Sequence, residues 1–266
     1  MRRALVGLAL TTGVVLVTAL PAQAALAAAG PNPVKVMQAQ LSAEKGAEVA
    51  STTSMSVDGK LMISFKEKGK VQLGKGSDLT FKGDLGPAIY GAIAPEDVYL
   101  ISALTDTSRV ITVGKESYVS GGLVRNALPT GMTWLRFDKP VDSPGAPPID
   151  ILATGTLKTL LAGAAPKGGV AKGTISVAKL RSVAPRLRTF ATKGNVSWTL
   201  QFDAKGLVKR FSATLPSVDG VSIKTETRVS RWGSVTVSPP PGDQVFDADA
   251  LGEAVPIPDP IAEANK

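Results

Sequence analysis

The chain has 266 residues, with 30 Lys and Arg against 22 Asp and Glu, a formal charge of +8, and neither Cys nor His. Without Cys there is no disulfide, no thiolate metal site, no Cys nucleophile and no residue to carry the lipid of a bacterial lipoprotein. Without His, the commonest general base at neutral pH and the commonest metal ligand are missing. We therefore expect a non-enzymatic protein that uses no metal and no cofactor.

Residues 1–24 have the three parts of a secretory signal peptide. Met1-Arg2-Arg3 is the basic start, residues 4–20 are apolar, and Ala22-Gln23-Ala24 has the small-x-small pattern of a cleavage site. Gly and Thr interrupt the apolar run, which makes it a poor membrane anchor. We expect cleavage after Ala24 and a secreted protein of the cell envelope or extracellular space, without a lipid anchor.

Residues 25–50 form an Ala-rich segment in which apolar residues at helical spacing predict a short helix. From Ser51 apolar and polar residues alternate, which predicts a main domain over residues 51–247 that begins with strands. Asp58-Gly59 is the strongest hairpin signal. The strands predicted in the first half are 51–57, 60–66, 69–73, 77–82, 109–113, 116–120 and 134–138.

A Pro-rich connector over residues 142–148 leads into an amphipathic helix from about Ile149 to Leu161, where apolar residues recur every three and four positions. In residues 196–202 the larger apolar side chains all fall on one face, as in a strand with one buried face. The strands predicted in the second half are 173–178, 196–203, 207–215 and 221–232. The pattern is that of an α+β domain with many hairpins and a covering helix.

Charge is unevenly distributed along the second half of the chain. Residues 151–202 carry no carboxylate, whereas residues 248–266 form an acidic, Pro-rich tail that we expect to be flexible. A segment of one sign attracts polyanions at long range, so it is a candidate contact for an anionic membrane or wall surface. A solvated basic face is the alternative. The candidate cations are Lys158, Lys167, Lys172, Lys179, Arg181, Arg186, Arg188 and Lys193.

Short motif matches do not add up to a reaction site. Ser176 with Lys179, and Ser42 with Lys45, match S-x-x-K, but the chain has no S-D-N or K-T-G element to accompany them. Residues 247–252 begin like a calcium loop, yet they lack the third oxygen ligand and the Glu at the twelfth position. The three Tyr and three Trp are too scattered for a nucleic-acid groove, and we expect no nucleic-acid partner.

Several stretches resemble a known family. The chain contains a Tyr strand (114–119), an L-P-x-G-x-x-W turn and strand (128–138), a W-x-L-x-x-D-x-x-G-L hairpin (196–210), and a closing pair of segments with an aromatic-Gly step, alternating Val and a Pro run (227–233 and 235–247). This layout, over roughly residues 50–250, resembles the secreted proteins and lipoproteins of actinobacteria with the LolA/LppX/LprG-like fold. Unlike the lipoprotein members, this chain has no Cys after its signal peptide.

The resemblance implies a strongly curved antiparallel β-sheet, a half-barrel, with helices over its concave face and a hydrophobic cavity between the two. Characterised members carry acyl chains of lipids, lipoproteins or lipoglycans, so the resemblance implies an exported binding protein for a lipid or acylated molecule. From strand alternation and helix face, the candidate cavity residues are Leu152, Leu157, Leu160, Trp198, Leu200 and Phe202.

Two alternatives remain open from the sequence. The same apolar residues would form a closed core in an envelope sensing or protein-interaction module that binds no lipid. A hydrolase is the other alternative, because carboxylates such as Asp84 and Glu116 can meet in space without a sequence signature.

Overall fold

One sheet of eleven strands dominates the computed structural model, which describes residues 31–90, 105–122, 124–218 and 220–254. The predicted signal peptide and the end of the predicted tail lie outside these residues. The strands are β1 (Gly46–Val57), β2 (Lys60–Gln72), β3 (Gly76–Leu85), β4 (Ser108–Val113), β5 (Glu116–Gly121), β6 (Trp134–Phe137), β7 (Val170–Ser176), β8 (Asn195–Phe202), β9 (Val208–Thr214), β10 (Val221–Gly233) and β11 (Val245–Asp247).

The α-helices of the described residues are few and short. They are α1 (Pro33–Ser42), α2 (Pro87–Tyr90), α3 (Thr154–Leu161), α4 (Val177–Leu180) and α5 (Leu187–Phe190). Asn32 caps α1, because its side-chain oxygen accepts hydrogen bonds from the amides of Val34 and Lys35. Across the residues described, no helix is both long enough and apolar enough to cross a membrane.

The order of strands in the sheet is β11-β6-β5-β4-β3-β2-β1-β10-β9-β8-β7. Neighbouring strands are antiparallel, except that β11 runs parallel to β6. Strand β1 lies next to the central strand β2 and is paired with β2 on one side and with β10 on the other. The sheet is open, and the half-barrel architecture predicted from the sequence is confirmed.

Alternation separates the two faces of the sheet. In β8 the apolar residues Val196, Trp198, Leu200 and Phe202 are buried, whereas the polar residues between them are not. The inner face of β1 and β7–β10 packs on α1, α3, α4 and α5 in the larger of the two inner-face core clusters. A smaller cluster beneath β3–β6 contains Phe81, Val110, Val119, Val124 and Leu135.

The connector between β6 and α3 crosses the inner face of the sheet. Ser143, Ile149 and Ile151 within it are buried. At Gly145 there is no side chain to separate the connector from the sheet: a Cβ there would lie 3.3 Å from the Cβ of Phe65 and 3.5 Å from that of Phe81. The connector, together with α3 to α5, therefore forms the cover of the half-barrel.

Several elements differ from the sequence prediction: β1 begins at Gly46 instead of Ser51, the predicted strand 173–178 ends at Ser176, and β11 was not predicted. Strand β2 is continuous through Gly69, where glycine is needed because a Cβ would collide with the backbone oxygen of Asp78 on β3. Helix α3 begins at Thr154, because the Asp150 side chain accepts from the Leu152 amide at 2.8 Å and holds the preceding residues in a turn. Residues 248–254, expected in the flexible tail, form 3₁₀ turns that pack on the smaller core cluster.

Replacing Phe81 with Ala is expected to lower the free energy of unfolding by about 3–5 kcal/mol, since the side chain is fully buried beneath the connector. Lys82, the next residue on β3, is exposed and provides the control: Lys82→Ala should change stability by no more than about 0.5 kcal/mol. Urea unfolding measures both. Similar losses in the two variants would contradict the assignment of the inner face.

Candidate functional site

A cavity of about 810 Å³ lies between the inner face of the sheet and its cover. Its floor is formed by β1, β2, β3 and β10. Its roof is formed by the connector, the start of α3 and the loop between α4 and α5. This volume lies within the range of roughly 300–1,000 Å³ that is typical of pockets for small-molecule ligands.

The cavity is located where small residues occupy the inner face. Ser51 on β1, Thr227 on β10 and Ser77 on β3 line it, whereas Trp198, Leu200 and Phe211 fill the corresponding space under β8 and β9. The Ser51 and Thr227 hydroxyls are 3.0 Å apart and bond to each other. The centre of the sheet therefore leaves space without leaving those hydroxyls unpaired.

The cavity opens toward the hairpin that joins β2 to β3. Leu41 of α1, Gly74, Lys75 and Gly114 line this end and are exposed, Leu41 to 40% of its surface. From Gln72 at this end, the cavity follows β2 inward to Glu67, a distance of roughly 16 Å at ~3.3 Å per strand residue. It is thus an elongated space between an open end at this hairpin and an inner end that holds the buried Glu67, beside which Asp142 and Asp150 are exposed.

The long walls of the cavity are mainly apolar. On the floor, every second residue of a strand points its side chain into the cavity. On the roof, the connector and the α4–α5 loop supply further apolar side chains. The apolar side chains that line it include Val49, Val71, Leu79, Ile151, Leu152 and Val183. A flexible hydrocarbon chain fits an elongated apolar space of this kind.

Glu67 is placed at the inner end of the cavity. It points inward from β2, opposite Ser51 in the strand register, and only 4% of its surface is accessible. The Ser143 hydroxyl hydrogen-bonds to the carboxylate, but the Oε2 atom has no hydrogen-bond partner. Burial raises the pKa of Glu67, an effect that the Ser143 hydrogen bond and the Arg186 charge only partly offset.

Arg186 enters the same end of the cavity from the loop between α4 and α5. Its Nη1 lies 3.0 Å from Oδ2 of Asp142, and its Nη2 donates to the Ser143 carbonyl oxygen at 3.3 Å. The Nε atom is buried and has no hydrogen-bond partner. The Nη1 atom, although close to Asp142, also makes no hydrogen bond. Arg186 therefore ties the loop to the connector and still has donors without acceptors.

Asp150 is a further carboxylate of the cavity. It is surrounded by protein but keeps accessible surface, because that surface faces the cavity. Burial raises its pKa, although hydrogen bonds from the amides of Leu152 and Ala153 act in the opposite direction. In the part of the chain described, no group of three or more Asp or Glu is arranged to hold a metal ion.

Of the six residues predicted to line a cavity, the structure places Leu152 on its wall. The other five, Leu157, Leu160, Trp198, Leu200 and Phe202, lie together in the larger core cluster under β7–β10. The sheet is closely packed where these five lie, and the space opens beside them, where β1, β2, β3 and β10 form the floor.

The eight predicted surface cations divide into two groups. Arg186 lines the cavity and is 16% exposed. The other seven lie on the surface or near it, and none of them forms an ion pair with a described carboxylate. Lys172 lies on the outer face of β7, apart from those on the helical cover.

The sequence analysis missed Glu67, although a signal for it exists. Ile63, Phe65 and Val71 share the inward parity of β2, and Glu67 is the charged residue in that series. Recognising it requires β2 to be read as one strand through Gly69. Arg186 has no such signal, because its direction is set by the loop that carries it.

A second recess, of about 930 Å³, lies on the outer face of β1 and β7–β10. It is shallow and lined mainly by hydroxyls and charges, among them Ser197, Thr199, Ser212, Lys224 and Arg228. It has no apolar wall of side chains, so the inner cavity is the better site for a hydrocarbon chain.

Replacing Glu67 with Gln is expected to change how stability depends on pH. Burial raises the Glu67 pKa above its ordinary 4.5, so the folded protein retains a proton that the unfolded chain releases. The stabilisation by the protonated form is complete below pH 4.5 and is lost as the pH rises through the folded-state pKa. Urea unfolding between about pH 4 and 8 should show Glu67→Gln gaining stability relative to the wild type as pH rises.

Glu226 on β10 provides a control of opposite sign. On the outer face it accepts hydrogen bonds from Arg210 at 2.5 Å and Arg228 at 2.7 Å, and the Arg210 bond is the main cause of its lowered pKa. Its stabilisation is present above pH 4.5 and lost as the pH falls through the folded-state pKa. Glu226→Gln should lose stability relative to the wild type toward neutral pH. If the stability of Glu67→Gln changes with pH as that of the wild type does, burial does not raise the pKa of Glu67.

No protein family model matches the chain, and no curated protein matches it. Among solved structures, the chain is similar to LprF from Mycobacterium bovis, with 15% identity, a TM-score of 0.41, and coverage of 80% of this chain and 100% of that one. It is also similar to a LolA superfamily protein from Nitrosomonas europaea (6% identity, TM-score 0.30, 78% and 96% coverage). A DUF1329 family protein from Desulfovibrio piger shows 11% identity, a TM-score of 0.25, and coverage of 82% and 97%. Likeness at this level carries no information on ligand or activity.

Proposed function

We propose that this is an exported, non-enzymatic binding protein of the cell envelope that takes up a lipid or another acylated molecule in the inner cavity. The observation that carries the proposal is an elongated cavity of about 810 Å³ with a mainly apolar wall and an opening at the β2–β3 hairpin. Burial of an acyl chain there would stabilise the complex by roughly 0.8 kcal/mol for each CH₂ group removed from water. Residues 1–24 supply the export signal in this proposal.

The exposed Leu41 at the open end supports entry from that side. A large apolar side chain in water is unremarkable alone, but this one lines the cavity and belongs to α1. A chain that enters between α1 and the β2–β3 hairpin would meet apolar surface from its first contact. The closely packed half under β7–β10 would act as the rigid support of the site.

The surface cations supply a second part of the proposal, a contact with anionic membrane or wall surfaces. The seven that lie at the surface have no ion-pair partner among the described carboxylates, so their field is not neutralised locally. Such a field concentrates the protein at an anionic surface and decays within about 10 Å at 0.1 M salt.

Native mass spectrometry of the protein purified from its own secreting host, followed by organic extraction, tests the proposal directly. We expect an acyl species to accompany the protein and to be released by the solvent. A protein that emerges empty and is not stabilised by any added lipid would instead favour the interaction module with no lipid ligand.

Filling the cavity should abolish binding. Leu152 lines the wall and is half-buried, so Leu152→Trp is expected to weaken binding of a fluorescent fatty-acid probe by at least about tenfold through steric exclusion. Leu161 is also half-buried and packs on the same core cluster, but it does not line the cavity. Leu161→Trp is therefore the matched control and should bind as the wild type does. Equal effects of the two substitutions would place the probe elsewhere.

Reversing surface charge should reduce adsorption to anionic vesicles. Lys158 on α3 and Arg188 on α5 are both exposed, and the double variant Lys158→Glu, Arg188→Glu is expected to bind phosphatidylglycerol vesicles at least several-fold more weakly at low salt. Vesicle co-sedimentation at several salt concentrations measures this. The same reversal at Lys68 and Lys70, which lie on the outer face of β2 and are exposed, controls for net charge. Equal losses would indicate a general charge effect rather than a contact by the cover.

A further inference from the structure

We infer that the inner end of the cavity is a head-group site, formed by Glu67 and Arg186, that binds a hydroxyl of a neutral single-chain amphiphile and disfavours anionic heads. This inference rests on the proposed function, because it specifies which molecule the cavity takes up. It concerns a pair of side chains that have polar atoms left without partners in the same enclosed space.

The atoms are Oε2 of Glu67 and, on Arg186, Nε and Nη1. All are buried and make no hydrogen bond, although Nη1 lies 3.0 Å from Oδ2 of Asp142 and the two side chains are bonded through their other atoms. Buried polar atoms are nearly always satisfied, so an unpaired acceptor and unpaired donors at one end of a cavity indicate that something polar completes them there. The pair does not complete itself, because Arg186 forms its ion pair with Asp142.

The required group must accept one hydrogen bond and donate another. The Arg186 Nε–H needs an acceptor, and the Glu67 carboxylate needs a donor. A hydroxyl does both with one oxygen atom, and it fits either protonation state of Glu67. An ether oxygen can only accept, and an ammonium group can only donate.

An anionic head group is disfavoured at this end of the cavity. A fatty-acid carboxylate would satisfy Arg186, but it would lie among the carboxylates of Glu67, Asp142 and Asp150, which all line the cavity. Asp142 and Asp150 are exposed, but like charges still repel, and the single guanidinium of Arg186, already paired with Asp142, does not balance three carboxylates.

The geometry also sets the orientation of the ligand. With its head at Glu67, the hydrocarbon chain would run along Val71 and Leu79 toward the exposed end near Gln72, roughly 16 Å away along β2. The head would therefore be the most deeply buried part of the ligand.

Isothermal titration calorimetry on the full mature protein with three probes that share a ten-carbon chain tests the inference. The probes are 1-decanol, its methyl ether and decanoate, each used below its aggregation concentration at pH 7. With Glu67 ionised, we expect 1-decanol to bind about tenfold or more tightly than the ether, since the ether has no proton to donate to the carboxylate. Decanoate should likewise bind about tenfold or more weakly than 1-decanol.

Two substitutions of Glu67 assign the preference to this residue. Glu67→Met removes the acceptor at similar length and should bring 1-decanol and its ether to within about twofold of each other. Glu67→Gln keeps the shape but removes the charge, so it should improve decanoate binding several-fold. Glu226→Gln, on the outer face, should leave all three affinities unchanged. Thermal unfolding checks that each variant is folded.

The possible outcomes distinguish a failure of the proposed lipid-binding function from a failure of the head-group inference. If none of the probes binds the wild type, the proposed lipid-binding function is wrong. If all three bind with equal affinity, the proposed function is supported but the head-group inference is wrong. Water alone would then satisfy the unpaired atoms of Glu67 and Arg186. A wild-type preference that persists in Glu67→Met would also overturn the inference. The affinities of the wild type for the three probes are enough to overturn the inference. It therefore stays testable even if a Glu67 variant does not fold.

Discussion

Close packing between the sheet and its cover is the interaction on which the rest of the structure depends, and it extends over only part of the inner face. Under β8 and β9 the large side chains Trp198, Leu200 and Phe211 reach the helices and exclude solvent. Under β1 and β10, Ser51 and Thr227 are too short to do so. The sheet and its cover therefore form a packed core on one side and enclose a cavity on the other. The change occurs at β1, which is paired along nearly its whole length with both neighbours.

The rigid half gives the open half its shape. Strand β1 joins them, so the floor of the cavity is fixed by a strand that belongs to both. On the roof, Gly145 lets the connector lie directly on Phe65 and Phe81, and Arg186 ties the connector to the loop after α4 through Asp142 and Ser143. A cavity held in this way does not need a ligand to keep its layers apart. This arrangement leaves the carboxyl group of Glu67 buried in an unfavourable environment, a condition often found at functional sites.

How far the sequence alone predicts this arrangement depends on whether a feature is local. Asp58-Gly59 predicts the β1–β2 hairpin because both residues adopt the positive φ that such turns require, 48° and 77°. The buried face of residues 196–202 is likewise local, since a strand has a period of two. The position of the cavity is not local: it depends on which small residues of β1, β3 and β10 meet in the sheet, and on where the connector crosses. That is why Leu157 and Leu200, correctly placed on apolar faces, belong to the core, whereas the residues that form the polar end of the cavity escaped prediction.

The short strand β11 has a consequence for how the sheet ends. It pairs with β6 through Val245 to Asp247, an ion pair joins Arg136 to Asp247, and the following turns pack on the core. An uncovered edge strand presents free amides and carbonyls to any other extended chain, and proteins commonly protect such edges. Here, a segment from near the end of the chain protects β6. Proteolytic loss of everything after Pro241 would remove a very small part of the fold and yet expose a template for edge-to-edge association, so the integrity of this segment bears on whether the protein stays dispersed in solution.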